Sequence, residues 1–348
     1  MQNISLADFL EYRFLSKLQL SPDGTKAAFV VSRQNKQENN YAADIYLAHC
    51  AAHSIKQLTH TGKEHDFVWD GADTLLFPSC RCKEDEAPRF YQKTVFYRLS
   101  LSGGEAYRAF EVPYDVKEIC PCGDGVHYAM AVRIDHTRPD PRTHTMEECE
   151  DAEDYILLEE MPFATNGEGY TSRVRMTLAL YNAETDETKL LTPPMFMLGA
   201  FRWAGKQLVY TGHSYTTVKA KTKGMYAYSL ATGETRTLVE DGALAIYHIG
   251  EEEGTVLFTA SDLKQYGSAS GQDFYKLSLA GGGCEKLLAH ELVPGTSPIT
   301  DSTYGSGNAF VCAQGAAYYI VLDRFQSHIR SIDAAGVQQE ILGFDGGI

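Results

Sequence analysis

Ser21-Pro22-Asp23-Gly24-Thr25-Lys26-Ala27-Ala28-Phe29-Val30-Val31 opens on a tight polar turn and closes on an apolar run over residues 27–31. Residues that supply a positive φ, followed by β-branched or aromatic side chains, are the chemistry of a β-hairpin and not of a helix. The same sentence is written five more times along the chain. Turns at Asp70-Gly71-Ala72-Asp73, Gly123-Asp124-Gly125, Ala204-Gly205-Lys206, residues 250–254 and Gly305-Ser306-Gly307-Asn308 precede strand-like runs at 74–77, 127–132, 207–211, 256–259 and 309–313.

Each copy has a second half: a strand centred on tyrosine, a polar turn, and a short closing strand. Asp44-Ile45-Tyr46-Leu47 precedes Lys56-Gln57-Leu58-Thr59, and Val95-Phe96-Tyr97-Arg98-Leu99 precedes Gly103-Gly104-Glu105-Ala106. Leu178-Ala179-Leu180-Tyr181, Met225-Tyr226-Ala227-Tyr228, Asp273-Phe274-Tyr275-Lys276-Leu277 and Ala317-Tyr318-Tyr319-Ile320-Val321 continue the series. Two hairpins per unit make a four-stranded antiparallel sheet, and a period of roughly 45–55 residues is that of a propeller blade. The expected fold is therefore all-β: a β-propeller of six four-stranded antiparallel blades over residues 20–348. Trp69 and Trp203, with Tyr247 and Tyr304, stand at comparable places near the blade turns, where a repeated core calls for aromatic packing.

Two segments break the rhythm. Residues 1–19 form an N-terminal extension in which Ser5, followed three residues later by Asp8, is placed to cap a short helix within Leu6-Ala7-Asp8-Phe9-Leu10-Glu11-Tyr12. Residues 135–171 form an insertion with eight carboxylates between Glu147 and Glu160. Loops of this length in a compact domain are functional or disordered. The run Glu147, Glu148, Glu150, Asp151, Glu153, Asp154 reads first as a solvated face.

The chain carries 46 acidic against 31 basic residues, a formal net charge of -15, which offers no basic stripe to a phosphate backbone. Nucleic acid is not an expected partner. Neither a charged start with an apolar middle nor a membrane-length apolar run is present, so an export signal and a membrane span are not expected. Eight cysteines without an export signal point to free thiols in a reducing cytoplasm, in which the Asn3-Ile4-Ser5 sequon is silent. Cys80-Arg81-Cys82 and Cys120-Pro121-Cys122 have too tight a spacing for a zinc knuckle, and small core positions are their expected use. The histidines show no metal-binding spacing and read as solvated turn residues, and 199–206 lacks the hydroxyl residue of a phosphate loop. No cofactor and no metal are expected.

The set Ile4-Ser5-Leu6-Ala7-Asp8-Phe9, residues 20–30, Asn40-Tyr41-Ala42-Ala43-Asp44-Ile45-Tyr46, Thr94-Val95-Phe96-Tyr97-Arg98, Glu159-Glu160-Met161-Pro162-Phe163 and Asn166-Gly167-Glu168-Gly169-Tyr170, in this order, resembles the acylaminoacyl-peptidase branch of the prolyl oligopeptidase family. The resemblance implies an N-terminal propeller, seven-bladed in the family, that caps a C-terminal α/β-hydrolase domain and limits which short or N-acylated peptides reach its serine. That serine stands in a Gly-x-Ser-x-Gly elbow followed in the chain by aspartate and histidine. Here Gly267-Ser268-Ala269-Ser270-Gly271 has alanine at the serine's place. The chain is accordingly expected to be non-catalytic alone, a propeller cut from a serine peptidase, with the hydrolase domain and short peptides as its partners. Homo-oligomerisation stays open.

Candidate gating residues follow. Glu159, Glu160 and Asn166 lie in the family-like segment, where carboxylates facing a cavity could hold a peptide's ammonium group through charge-assisted hydrogen bonds. Arg89 and Arg98, near the 83–88 loop, could meet a carbonyl or carboxylate, with a surface ion pair as the plainer use. A free-standing TolB- or WD-like binding scaffold is the alternative of a different class, and a propeller lyase or glycosidase with convergent carboxylates is the third.

Overall fold

The computed structural model describes residues 5–295, 309–324 and 326–345. Their strands form six four-stranded antiparallel sheets, the blades of a β-propeller, with almost no helix. Blade 1 comprises Arg13–Leu20, Lys26–Asn35, Asn40–His49 and Ser54–Gln57; blade 2, Val68–Trp69, Thr74–Pro78, Thr94–Ser100 and Tyr107–Val112; blade 3, Asp115–Pro121, His127–Asp135, Val174–Asn182 and Glu187–Leu190. Blade 4 comprises Phe196–Ala204, Gln207–Ser214, Gly224–Ser229 and Thr235–Val239; blade 5, Ala245–Glu252, Thr255–Ser261, Asp273–Ser278 and Cys284–Leu288; blade 6, Phe310–Ala313, Ala316–Asp323, Gln326–Asp333 and Gln338–Asp345. In every blade the strands follow one another in chain order, so the first and last blades each complete themselves. Among the described residues no helix is long and apolar enough to cross a membrane.

The described chain divides into two compact units, one made of residues 5–127 with Asn182–Asp186, the other of Tyr128–Tyr181 with 187–295, 309–324 and 326–345. Each unit has its own cores, and the period-2 alternation of strands explains them. In the first unit, Ala28, Val30, Ile45 and Leu47 of blade 1 pack with Leu75, Phe77, Val95 and Tyr97 of blade 2 in one buried cluster. In the second, Val256, Phe258, Ala260, Tyr275 and Leu277 of blade 5 pack on Val209 and Met225 of blade 4. Leu257 and Phe274, their alternates in the same strands, pack on Tyr319, Val321 and Ile332 of blade 6. Both faces of blade 5 are thus buried by its neighbours, which is why its strands read as nearly continuous apolar runs.

Several expectations change on contact with the structure. The extension ends earlier than expected, because Arg13–Leu20 pairs antiparallel with Lys26–Asn35 as the first strand of blade 1. Its helix is the expected one: Ser5 and Asp8 form a reciprocal capping box at the head of a 3-10 helix over Leu6–Glu11. In blade 6 the run 309–313 falls on the first strand of the sheet and not the second, so the repeat is shifted by one strand there. The turn Gly305–Asn308, Tyr304 and Asn3 lie outside the described residues. Trp69 packs on the core shared by blades 1 and 2 and donates its Nε1–H to the Gln19 carbonyl at 3.4 Å. Tyr247, by contrast, is exposed.

The cysteines are free, but only Cys149 is buried; Cys50, Cys82 and Cys284 are exposed and the others are half-buried. They are therefore not core fillers as a group. The histidines also depart from a turn role: His213 is buried within the second strand of blade 4, and His248 stacks on Phe310 with ring centroids 5.5 Å apart. Residues 199–206 belong to a hairpin of blade 4, which excludes a phosphate loop there.

Candidate functional site

In a four-stranded meander, strands 1 and 3 run one way and strands 2 and 4 the other. The connection from strand 2 to strand 3 therefore lies at the same end of the sheet as the links to the neighbouring blades. In blade 3 that connection is the insertion, which runs from His136 to Arg173 between strands ending at Asp135 and beginning at Val174. It carries the helix Met146–Asp151, a cis Met161-Pro162 peptide bond and a small hairpin pairing Ala164–Thr165 with Gly169–Tyr170.

The insertion is pinned from beneath by one guanidinium. Arg175, in the third strand of blade 3, is fully buried, with Nη2 2.5 Å from Glu160 Oε1 and Nη1 3.0 Å from Glu160 Oε2. Its remaining N–H groups donate to the carbonyls of Met195 (3.1 Å), Val174 (3.0 Å) and Tyr215 (2.8 Å). The guanidinium carbon lies 3.8 Å from the Tyr215 ring centroid. Five donors are thereby used, which is the full inventory of the side chain. Glu160 also accepts from the Arg173 N–H at 2.7 Å. Burial alone would raise the Glu160 carboxyl, yet the Arg175 guanidinium and the Arg173 N–H together hold it below the ordinary carboxylate range. Burial keeps the neighbouring His136 and His213 neutral to lower pH than usual, with Arg175 adding to the effect.

The insertion also pairs with the strand 2–3 loop of blade 4. Met161 forms a parallel bridge with Val218, its N–H donating to the Thr217 carbonyl at 2.7 Å and its carbonyl accepting from Lys219 at 2.9 Å. The blade 4 loop in turn touches that of blade 5, where Lys221 Nζ donates to Ser268 Oγ. Ser268 and Ser270 sit in the exposed short helical turn Gly267–Ala269 and its cap, with Ser270 Oγ accepting from the Tyr266 N–H.

Of the candidate residues read from sequence, Glu159, Glu160 and Asn166 fall together on the insertion. Glu160 is buried and committed to Arg175. Glu159 is exposed and pairs with Arg173 Nη1 at 2.8 Å. Asn166 is exposed in the turn of the small hairpin. Arg89 is exposed on the strand 2–3 loop of blade 2, its guanidinium 4.5 Å from the Phe90 ring centroid. Arg98 lies in the third strand of that blade with Nε 2.7 Å from Asp70 Oδ2, the ion-pair use. The six carboxylates from Glu147 to Asp154 are all exposed on and just after the helix Met146–Asp151, where Thr145 and Glu148 form a capping box.

The first unit repeats the pinning device in its own loops. Buried Glu64 accepts from Arg81 at 3.0 Å, Ser79 at 3.0 Å and Thr61 at 2.7 Å. Arg81 lies 5.0 Å from the Tyr97 ring centroid. Tyr97 donates its hydroxyl to Asp85 at 2.7 Å, and burial with that carboxylate pushes the phenol well above its usual value. Buried Asp44 is likewise held by Arg33 at 2.6 Å. Sequence reasoning missed Arg175, Arg81 and Arg33. Each is a lone arginine at a strand end or just beyond one, and its carboxylate is 11 to 17 residues away, a pairing no local spacing rule marks. Among the described residues no group of three or more metal-ligating side chains converges.

The fold and these loops define a class: a six-bladed β-propeller with arginine–carboxylate pairs, each on a buried carboxylate, at the strand 2–3 ends of its first three blades. No family model matches the chain. It is 29% identical over 201 residues to the uncharacterized peptidase YuxL of Bacillus subtilis (strain 168), a match covering 56% of this chain and 29% of that protein. The acylaminoacyl peptidase of Pyrococcus horikoshii superposes on 96% of the chain with a TM-score of 0.70 and 15% identity, over 47% of its own length. The β-propeller domain of the Trilobed protease from Pyrococcus furiosus, described as having an open velcro topology, matches 96% of the chain and 84% of its own length, with a TM-score of 0.62 and 11% identity. At these identities the solved structures show the shared fold. The chain spans under half of the length of both full peptidases, and its strands leave no doubly wound α/β domain among the described residues.

Proposed function

We propose that this chain is the substrate-selecting propeller of a serine peptidase acting on short or N-acylated peptides, with a separate α/β-hydrolase domain supplying the nucleophile. The observation that carries the reading is the 201-residue likeness to a peptidase, joined to a propeller fold that matches acylaminoacyl peptidase over 96% of the chain. The mechanism is steric and electrostatic: rigidly held loops admit extended peptides and exclude folded proteins, and a few polar side chains orient the peptide terminus. Glu159, Asn166 and Arg89 are the substrate-facing members of the candidate set. Glu160 positions Glu159 through its pairing with Arg175, and Arg98 braces blade 2. Eight free cysteines fit a reducing cytoplasm as the working compartment.

Hydrolysis of acyl-aminoacyl peptides and p-nitroanilides by this chain alone, and then together with the hydrolase domain encoded in the same gene or supplied separately, tests the reading. Turnover only in the presence of the hydrolase domain is the expected result. Turnover by the isolated chain would overturn it.

A further inference from the structure

The insertion carries a segment that neither the pinning network nor the blades use. Tyr155-Ile156-Leu157-Leu158 runs without turn or bend, and its four apolar side chains are 63%, 50%, 47% and 44% exposed. Among the described residues its main chain makes no hydrogen bond to protein. Both ends are nevertheless fixed. On the N-terminal side the helix Met146–Asp151 and its cap bury Cys149 and Ala152, whose carbonyl accepts from Arg138. On the C-terminal side the Glu159 N–H donates to Ser172 Oγ at 3.0 Å and Glu160 is held by Arg175. Exposed apolar Met161, Phe163, Tyr170 and Val218 follow on the paired chain.

A stretch of unpaired backbone with four consecutive exposed apolar side chains and anchored ends is a template for strand addition. The anchored ends limit the conformations it can sample and so lower the entropy lost when a partner docks. The charge beside it selects the partner: six carboxylates between Glu147 and Asp154 immediately precede the segment. A second copy of this chain brings a further net charge of -15 to that acidic face, which disfavours self-pairing.

We propose that Tyr155–Leu158 is a peptide-docking edge that takes an extended apolar peptide by β-strand addition, with a cationic end, a free α-amino group or a lysine, beside the acidic helix. The inference rests on the peptide-selecting reading above and names the peptide class. Main-chain pairing would supply the affinity, the exposed side chains of Ile156 and Leu158 the preference for apolar residues, and the carboxylates the direction in which the peptide lies.

The probe is a hexapeptide of alternating valine and threonine with a free N-terminal lysine, labelled with fluorescein at its C-terminus, and titrated by this chain with fluorescence anisotropy as readout. Saturable binding is expected, weakened about tenfold or more in Leu157→Pro, which removes a donor and blocks pairing without breaking an existing hydrogen bond. Weakening of several-fold is expected for the triple variant E150Q/D151N/E153Q, for an N-acetylated norleucine version of the probe, and for the wild type at high salt. Leu157→Asp, with an intact backbone, serves as the second variant should Leu157→Pro misfold by circular dichroism. Absence of binding by the wild type, binding by both Leu157 variants as tight as that of wild type, or sedimentation showing that the segment pairs two copies instead would overturn the proposal. Because the readout needs no hydrolysis, a failed titration beside active hydrolysis in the joined protein refutes this edge alone, whereas binding beside inactivity refutes the peptidase reading alone.

Discussion

Arg175 and Glu160 show what a buried ion pair does when every donor is used. Removing one partner strands the other charge without water, and such losses cost about 3–5 kcal/mol. Arg175→Ala should therefore lower the unfolding free energy, read from urea titrations, by about 3–5 kcal/mol, and Arg175→Met should recover part of it by restoring packing. Glu160→Gln isolates the pH effect. The carboxyl sits below its ordinary value in the fold, so its stabilising contribution is complete above about pH 4.3 and is lost as the pH falls through the depressed value. The stability of Glu160→Gln should fall less steeply than that of wild type below pH 4.3, read from urea titrations at stepped pH. An equal acid slope in the two proteins would show that the pair does not set it.

Within a strand, alternation assigns each side chain to one neighbouring blade, and this makes two substitutions diagnostic. Phe258 is fully buried between blades 4 and 5, so Phe258→Ala should cost about 3–5 kcal/mol by differential scanning or urea unfolding. Gly212 packs under the Phe196 ring, where a Cβ would stand 2.5 Å from the Met197 carbonyl oxygen. Gly212→Ala should then destabilise by about 1–3 kcal/mol through overpacking of the first hairpin of blade 4. Sequence reasoning read the second and third strands of blades 1 to 5 most clearly, because these carry the largely buried runs. The first strands of blades 1 to 5 were not named; Val68–Trp69 is too short to show a pattern, and Arg13–Leu20 is half exposed, so its polar and apolar residues give no continuous run.

At the scale of the whole chain, the acid response belongs to several histidines together, His213 buried and His248 and His290 half-buried. Burial lowers His248 to about 4, aided by Lys223, and it lowers His213 and His290 as well. Each binds a proton more readily unfolded, near pH 6.5, than folded, so global stability should decline from about pH 6.5 toward pH 4. His248→Phe should flatten that decline, measured as the thermal midpoint across the interval. An unchanged profile would assign the acid sensitivity elsewhere. The titration is a property of the fold, since it is the blade packing that excludes water from these rings.

The sequence by itself determined the all-β class, the blade count, the capped helix at Leu6–Glu11 and the place of the insertion in blade 3. All of these are written in local chemistry: glycine and aspartate at turns, alternating apolar residues in strands, and a missing turn where the rhythm breaks. Tertiary structure alone decided that Glu160 is buried against Arg175, that Arg98 is spent on Asp70, that His213 lies in the core and His248 stacks half-buried on Phe310, and that Tyr155–Leu158 is left unpaired. Those outcomes depend on which side chains meet across strands and loops distant in sequence. Two glutamates side by side, such as Glu159 and Glu160, differ in fate because one meets a guanidinium away from water and the other stays in it.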